Sequence, residues 1–349
     1  MIDTDLRWWV EQGDAVEVLK LIPSGSVDAL VTDPPAGISF MGREWDSAKG
    51  GRDKWIAWLA GILRECLRTM KPGAYGWVWA LPRTAHWTAT ACEDAGFTVR
   101  DVLVHVFGTG FPKSRALLKP ASEHWILIKA PGELQELRIE ENRIGTSKQV
   151  PASLSKTPGT LYGNGAGIPK AEGGEEQGKG GHDPNLGRWP ANFALSHSDE
   201  CGEACVDDCP VKMLDGQSGE SSGKVQRIQV KGRSGGLLGK EGADRDYVSG
   251  FNDSGGASRF FYVAKPSTKE RSLGLPDGNR NTHTTVKSIA LMQHLISLIA
   301  APGATILDPF AGSGSTGIAA LKNGCRFVGI EREAEYVEIA RQRIYSSLL

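Results

Sequence analysis

The sequence predicts an α/β protein whose core is split by a long insertion, and three observations carry that prediction. Short apolar runs suited to buried strands, "VDALVT", "HWILIKA", "TILDPF" and "RFVGIE", alternate with stretches in which apolar residues recur at helical spacing. Two of those runs end on an acid followed by proline, Asp33-Pro34-Pro35 and Asp308-Pro309-Phe310. Between residues 131 and 258 the composition shifts to Gly, Ser, Lys and other polar types, too rich in glycine for regular structure.

Taken in order, "VDALVT" reads as a strand and "DKWIAWLAGILRECLRTM" as an amphipathic helix stopped by Lys71-Pro72-Gly73. "AYGWVWAL" is a strand, 83–95 a helix, and "FTVRDVLVHVF" and "HWILIKA" two more strands. After the insertion come the strand "RFFYVAK" and a helix in "VKSIALMQHLISLIAAPG" closed by glycine. The strand "TILDPF", a helix over 315–323, the strand "RFVGIE" and a last amphipathic helix follow. The expected organisation is one half of the core at 1–130, an inserted region with mobile loops at 131–258, and the second half at 259–349. No internal repeat is visible.

With 349 residues, 40% of them hydrophobic, the chain can bury a full core. No apolar run approaches the roughly 20 residues of a membrane span, and "MIDTDLRWWVEQGD" has neither a basic start nor a signal-like stretch. A cytoplasmic protein with no membrane partner is expected. Six unevenly placed cysteines make no disulfide framework and fit a reducing compartment. The net charge of −1 excludes little, because nucleic-acid binding needs local positive surface.

In "ILDPFAGSGSTGIAA" a strand and Asp308 precede Gly312, Gly314 and Gly317 at the start of a helix. The glycines let the backbone approach a ligand, and the helix N-terminus offers N–H groups to an anion. Glu331 ends the next strand, about 20 residues on, where an acid holds the ribose hydroxyls of an adenosine-containing cofactor. Such a loop also suits a dinucleotide, or a plain glycine turn. Asp308 could instead receive an ammonium group, and acids on both sides of the loop favour a cofactor with an amino-acid head and an adenosine, S-adenosylmethionine.

Asp33-Pro34-Pro35 ends its strand for a physical reason: proline gives no N–H to a sheet and pushes its neighbour away from helix. A carboxylate is thereby held at the C-terminal edge of a strand, where open α/β sheets keep their chemistry. Together with "LDPFAGSGSTG", this motif resembles the amino-group DNA methyltransferases, which methylate adenine N6 or cytosine N4. Catalytic motif before cofactor motif, with the variable region between, is similar to the permuted β group, and several flanking segments resemble phage and prophage members.

The resemblance implies a Rossmann-like S-adenosylmethionine-dependent methyltransferase fold, circularly permuted, with an inserted target-recognition region. It implies double-stranded DNA as partner, a flipped base as substrate, and homodimerisation by analogy with the group. Asp33 and Pro34 would hold the amine, with Pro35 completing the motif. Asp308, Pro309, Phe310, Gly312, Gly314 and Glu331 would hold the cofactor. Asp14 would lie beside the cofactor's adenine, or simply cap the helix "AVEVLKLI"; Lys287 would approach its methionine carboxylate, or stand as a solvated charge. Adenine is preferred, since cytosine-N4 members more often carry Ser where Asp33 stands. The family's stacking ring is replaced here by Ala36, so either another ring, such as Phe40 or Trp45, supplies the stacking or the base is held more loosely; Thr284 and Ser288 stand where the family has prolines.

Two further segments stand out. Lys224, Arg227, Lys231, Arg233 and Lys240 have no acid among them in residues 224–240. With Lys113, Arg115 and Lys119 they would follow the phosphate backbone of DNA, or form a solvated loop. "HSDECGEACVDDCP" spaces His197, Cys201, Cys205 and Cys209 four apart, a complete ligand set for structural zinc; a continuous helix would align them in a row, but Gly202 and Pro210 suggest that the segment is not one helix. Free thiols in a small core are the other reading. A nucleotide-dependent oxidoreductase and a non-catalytic DNA-binding methylase homologue remain as competing functions.

Overall fold

The computed structural model describes residues 7–38, 42, 46–47, 49–108, 110, 115, 118–145, 187–223, 226–230, 245–249, 251, 253–265, 268–275, 280–283 and 285–349. In chain order the first half comprises β1 (Trp8–Gln12), α1 (Ala15–Leu19), β2 (Val27–Thr32), α2 (Arg52–Thr69), β3 (Met70–Ala80), α3 (Ala85–Asp94), β4 (Thr98–Val106) and β5 (Ser122–Lys129). Then come β6 (Phe193–Ser196), α4 (Pro210–Ser218), β7 (Ser221–Ser222), β8 (Gln226–Val230), β9 (Arg245–Ser249), β10 (Ser254–Gly255) and β11 (Tyr262–Ala264). The chain closes with α5 (Thr268–Arg271), α6 (Ile289–Ile299), β12 (Thr305–Asp308), α7 (Ser315–Lys322), β13 (Arg326–Glu331) and α8 (Ala334–Ser346).

Nine strands form one sheet in the order β1-β13-β12-β2-β3-β5-β4-β6-β11, parallel except where β5 runs against β3 and β4. One face packs α6, α7 and α8 through residues such as Leu295, Ile318 and Ile344, and the other packs α1, α2 and α3 through Leu19, Leu59 and Ala91. The α2 helix shows why: Trp55, Leu59, Leu63 and Cys66 recur at helical spacing and are fully buried, a stripe covered by the sheet together with α3, whose Trp87 meets Trp55. No described helix is long and apolar enough to cross a membrane.

Several sequence expectations shift in detail. Pairing of Val27 with Met70 starts β3 directly at the end of α2, so Lys71-Pro72-Gly73 lies within the strand. The α6 helix ends at Ile299 with Ala300 extended, and Gly303, at φ 87°, forms the following turn. β1 pairs with β13 and so lies beyond the C-terminal strands, which interleaves the two ends of the chain. Within 131–258, β6 pairs with β4 and joins the main sheet, and β8 and β9 form an antiparallel hairpin.

The strand order positions the site. β12 and β2 are parallel neighbours at the centre, with Ile306 opposite Ala29. From there β12 leads through α7 to β13 on one side, and β2 leads through α2 to β3 on the other. That reversal opens a crevice at the strands' carboxyl ends. Both acid-proline motifs fall there.

Candidate active site

A cavity of 790 Å³ occupies this crevice. Asp33, Pro34, Pro35 and Ala36 line one part, and Asp308, Pro309, Phe310 and Gly312 another. Asp14, Lys287 and Glu331 line it as well, so segments far apart in sequence share one space.

The glycine loop is shaped by its own backbone. Gly312 has φ 50°, and a Cβ there would stand 2.9 Å from His283 Nε2, so both conformation and space favour glycine. Gly314, at φ 81°, is the residue before α7 and its N–H bonds Ala311 O at 2.9 Å. The buried Arg343 supports the loop from α8, donating to the carbonyl and hydroxyl of Ser313.

Two acids flank this loop. Asp308 is 1% exposed; its Oδ1 accepts from Thr32 Oγ1 at 2.7 Å and Phe310 N at 3.0 Å, and its Oδ2 from Thr316 Oγ1 at 2.6 Å. Burial pushes its carboxyl up to about 7, against the pull of the two hydroxyls and the amide. A carboxylate has about four acceptor positions, so one is left for a ligand cation. Glu331 accepts from Gly312 N through Oε2 and from Glu333 N through Oε1, both at 2.9 Å, and the Arg332 amide is directed at it as well. Asp14 caps α1, accepting from Val16 N at 2.9 Å and Glu17 N at 3.4 Å, while also facing the cavity.

On the other side, Asp33 Oδ2 lies 3.2 Å from Lys287 Nζ, and the same ammonium lies 3.1 Å from Glu123 Oε2. Lys287 sits 4.1 Å over the Trp79 ring, whose Nε1 donates to Glu123 Oε2 at 2.6 Å. Glu123 Oε1 is 2.8 Å from His105 Nδ1, and His105 Nε2 is 2.6 Å from Ser196 Oγ. A continuous polar chain thus runs from β6 through β4 and β5 to the end of β2.

The two carboxylates sharing Lys287 differ in state. Burial pulls both up, but Glu123 is also held by Lys287, His105 and Trp79, which together keep it well below the ordinary carboxylate range. Asp33 has Lys287 alone against burial and the nearby negative charges, and rises to about 6. Lys287 is raised: burial opposes its charge, and Asp33 and Glu123 overcome it. Glu123 is therefore the fixed anion and Asp33 the adjustable one.

Glu123, His105, Trp79 and Ser196 were not singled out in the sequence. A signal existed: Glu123 shares strand parity with the buried Trp125 and Leu127, and His105 with the buried Leu103. A charged residue there needs a partner. Arg115 is exposed, and Arg227 lies on β8 opposite Val248. Phe40, Trp45, Lys113, Lys224, Lys231, Arg233, Lys240 and Thr284 lie outside the described residues, whereas Trp58, Trp79, Phe107 and Phe310 bring rings to the cavity. His197, Cys201, Cys205 and Cys209 do come together, with one ligand atom from each within 4.8 Å of the others.

The sequence profile of the DNA methylase family, N6 and N4 types together, matches residues 27–342. The chain belongs to this family. A methylase of Escherichia coli (strain K12), YubD, is 48% identical to it over 67 residues, 19% of this chain and 29% of that protein. The type II methyltransferase M2.DpnII of Streptococcus pneumoniae is 47% identical over 62 residues, 18% of this chain and 23% of that one. This DNA methylase family member therefore spans less than a third of either relative's length. In fold it is similar to the cytosine-N4-specific PvuII DNA methyltransferase, with a TM-score of 0.52 at 13% identity over 96% of this chain and 86% of that one.

Proposed function

We propose that the protein transfers the methyl group of S-adenosylmethionine to the exocyclic amine of a base flipped out of double-stranded DNA, with adenine N6 as the target. The observation that carries this reading is the sharing of one cavity by Asp33-Pro34-Pro35 and the Asp308–Gly312 loop. S-adenosylmethionine supplies an electrophilic sulfonium methyl. The protein's donor and acceptor set fits it: an open acceptor position on Asp308 for the ammonium, the Glu331 carboxylate at the end of β13 for the ribose hydroxyls, and Asp14 for the adenine. The third N–H of Lys287, two being directed to Asp33 and Glu123, suits the methionine carboxylate.

An exocyclic amine is a poor nucleophile because its lone pair is delocalised into the ring. Asp33 and the Pro34 carbonyl accept its two N–H groups and localise that lone pair on nitrogen. Acceptors fixed in a closed site need no reorganisation during the reaction. A carboxyl poised near 6 is ionised at neutral pH and can receive the proton the nitrogen sheds after transfer. No covalent enzyme intermediate is needed. Trp79 and Phe107 are the described rings beside this end of the cavity against which an extruded base can stack.

The β8–β9 hairpin, with Arg227 and the neighbouring Lys224, Lys231 and Arg233 in sequence, supports binding to DNA phosphates, and the enzyme acts in the cytoplasm as a homodimer. Asp33→Ala is expected to keep S-adenosylmethionine binding in calorimetry and to lose incorporation of labelled methyl into DNA. Wild-type labelling by that variant overturns the assignment. Mass spectrometry of nucleosides from methylated DNA decides the base: N6-methyladenine is expected, and N4-methylcytosine in its place overturns the adenine preference while keeping the amine chemistry.

A further inference from the structure

We propose that His197, Cys201, Cys205 and Cys209 bind one zinc ion that locks the turn leading from β6 into α4. The four residue types are a complete set for structural zinc, and soft thiolates with an imidazole select that metal over oxygen-loving cations. The geometry is what turns a ligand list into a site.

His197 Nδ1 lies 3.3 Å from Cys205 Sγ and 3.4 Å from Cys209 Sγ. All four ligand atoms lie within 4.8 Å of one another. Tetrahedral zinc with Zn–S of about 2.3 Å and Zn–N of about 2.0 Å places a nitrogen and a sulfur roughly 3.5 Å apart. The two nitrogen–sulfur edges, at 3.3 and 3.4 Å, match that tetrahedron.

The backbone removes the objection raised by the four-residue spacing. Residues 197–209 are not a helix: Cys201 N bonds Ser198 O at 3.0 Å and Cys209 N bonds Val206 O at 3.2 Å, two tight turns that curl the segment on itself. Cys209 then precedes α4, with Pro210 in its first turn. Proline is tolerated there and fixes where the turn ends.

Packing supplies a reason for a metal. The local core holds Leu195, Cys201, Cys209 and Val211 as its buried members, so two of its four buried side chains are cysteines. The other apolar side chains packed on it, such as Phe193, Val206 and Phe261, are only partly buried, and small cores commonly need a metal or covalent staple. None of these three cysteines is in a disulfide, and the other three, Cys66, Cys92 and Cys325, are dispersed in the two main core clusters. The gathering of thiols is specific to this turn.

The location also matters. His197 N donates to Ala264 O at 2.9 Å, continuing the β6–β11 pairing, and the residue before it, Ser196, supports His105. An ion at His197 would fix the end of the strand on which the Ser196–His105–Glu123–Lys287 chain rests. The metal is thus structural, and its existence does not depend on the identity of the DNA base or cofactor.

The test uses the full-length protein purified without chelators. Elemental analysis is expected to find one zinc per chain. Replacement by cobalt(II) is expected to give the intense visible bands and thiolate charge transfer of a tetrahedral site with three sulfur ligands and one nitrogen. Cys205→Ser, at a half-buried ligand, is expected to lose the bound metal, while Cys325→Ser keeps it. Because a ligand variant can fail to fold, the cobalt spectrum of the unaltered protein stands as an independent readout. Metal-free protein that takes up no cobalt, an octahedral cobalt spectrum, a disulfide among these cysteines, or full zinc content in folded Cys205→Ser would each overturn the proposal.

Discussion

Thr32 and Asp308 are joined by a hydrogen bond of 2.7 Å from the Thr32 hydroxyl to Oδ1, although 276 residues separate them. Thr32 is the last residue of β2, directly before Asp33, and Asp308 is the last of β12. The bond therefore clamps the Asp33 side of the cavity to its Asp308 side. Thr32→Val keeps the side chain's shape and removes a donor from a buried carboxylate. Unfolding free energy in a urea titration is expected to fall by about 1–3 kcal/mol, the cost of an undersatisfied buried polar group, with a parallel loss of S-adenosylmethionine affinity.

In the proposed mechanism Asp33 sets an acid limb on methyl transfer. Its carboxyl is raised to about 6 by burial, and only the carboxylate accepts the amine's N–H. Turnover at saturating substrates is therefore expected to be level above neutrality and to fall as pH drops through about 6. A limb near the ordinary aspartate value, in a pH profile of single-turnover rates, would show that another group controls the step.

Lys287 is the shared cation of two buried acids. Lys287→Met leaves both without it, and removing one partner from a buried ion pair costs about 3–5 kcal/mol. Lys287 lowers the Asp33 value, so its removal is expected to shift the acid limb to higher pH. Denaturant titration and the pH–rate profile of the variant check the two effects separately.

Gly312→Ala forces a side chain onto φ 50° and toward His283 Nε2, 2.9 Å from the new Cβ. The left-handed conformation alone costs about 1–2 kcal/mol for a residue with a Cβ. A lower melting temperature and weaker cofactor binding are expected. Calorimetric titration with S-adenosylmethionine measures the second, and unchanged affinity would show that the loop does not shape that site.

The order of amino acids alone settled the local devices: where β2 stops, because prolines cannot continue a sheet; where the loop before α7 turns, because glycine alone adopts its φ angles freely; and the α/β alternation, because burial stripes have fixed periods. Asp33, Asp308, Gly312 and Glu331 were legible for that reason. Folding in three dimensions was needed to show that β1 crosses to pair with β13, that β6 joins the main sheet, and that Glu123, His105 and Lys287 meet beside Asp33. It also curled His197 and three cysteines into one cluster, where the sequence alone leaves a zinc site and free thiols both open. Charge state and coordination depend on distances of a few ångströms between residues far apart along the chain. No local pattern encodes those distances; the packing of strands and helices sets them.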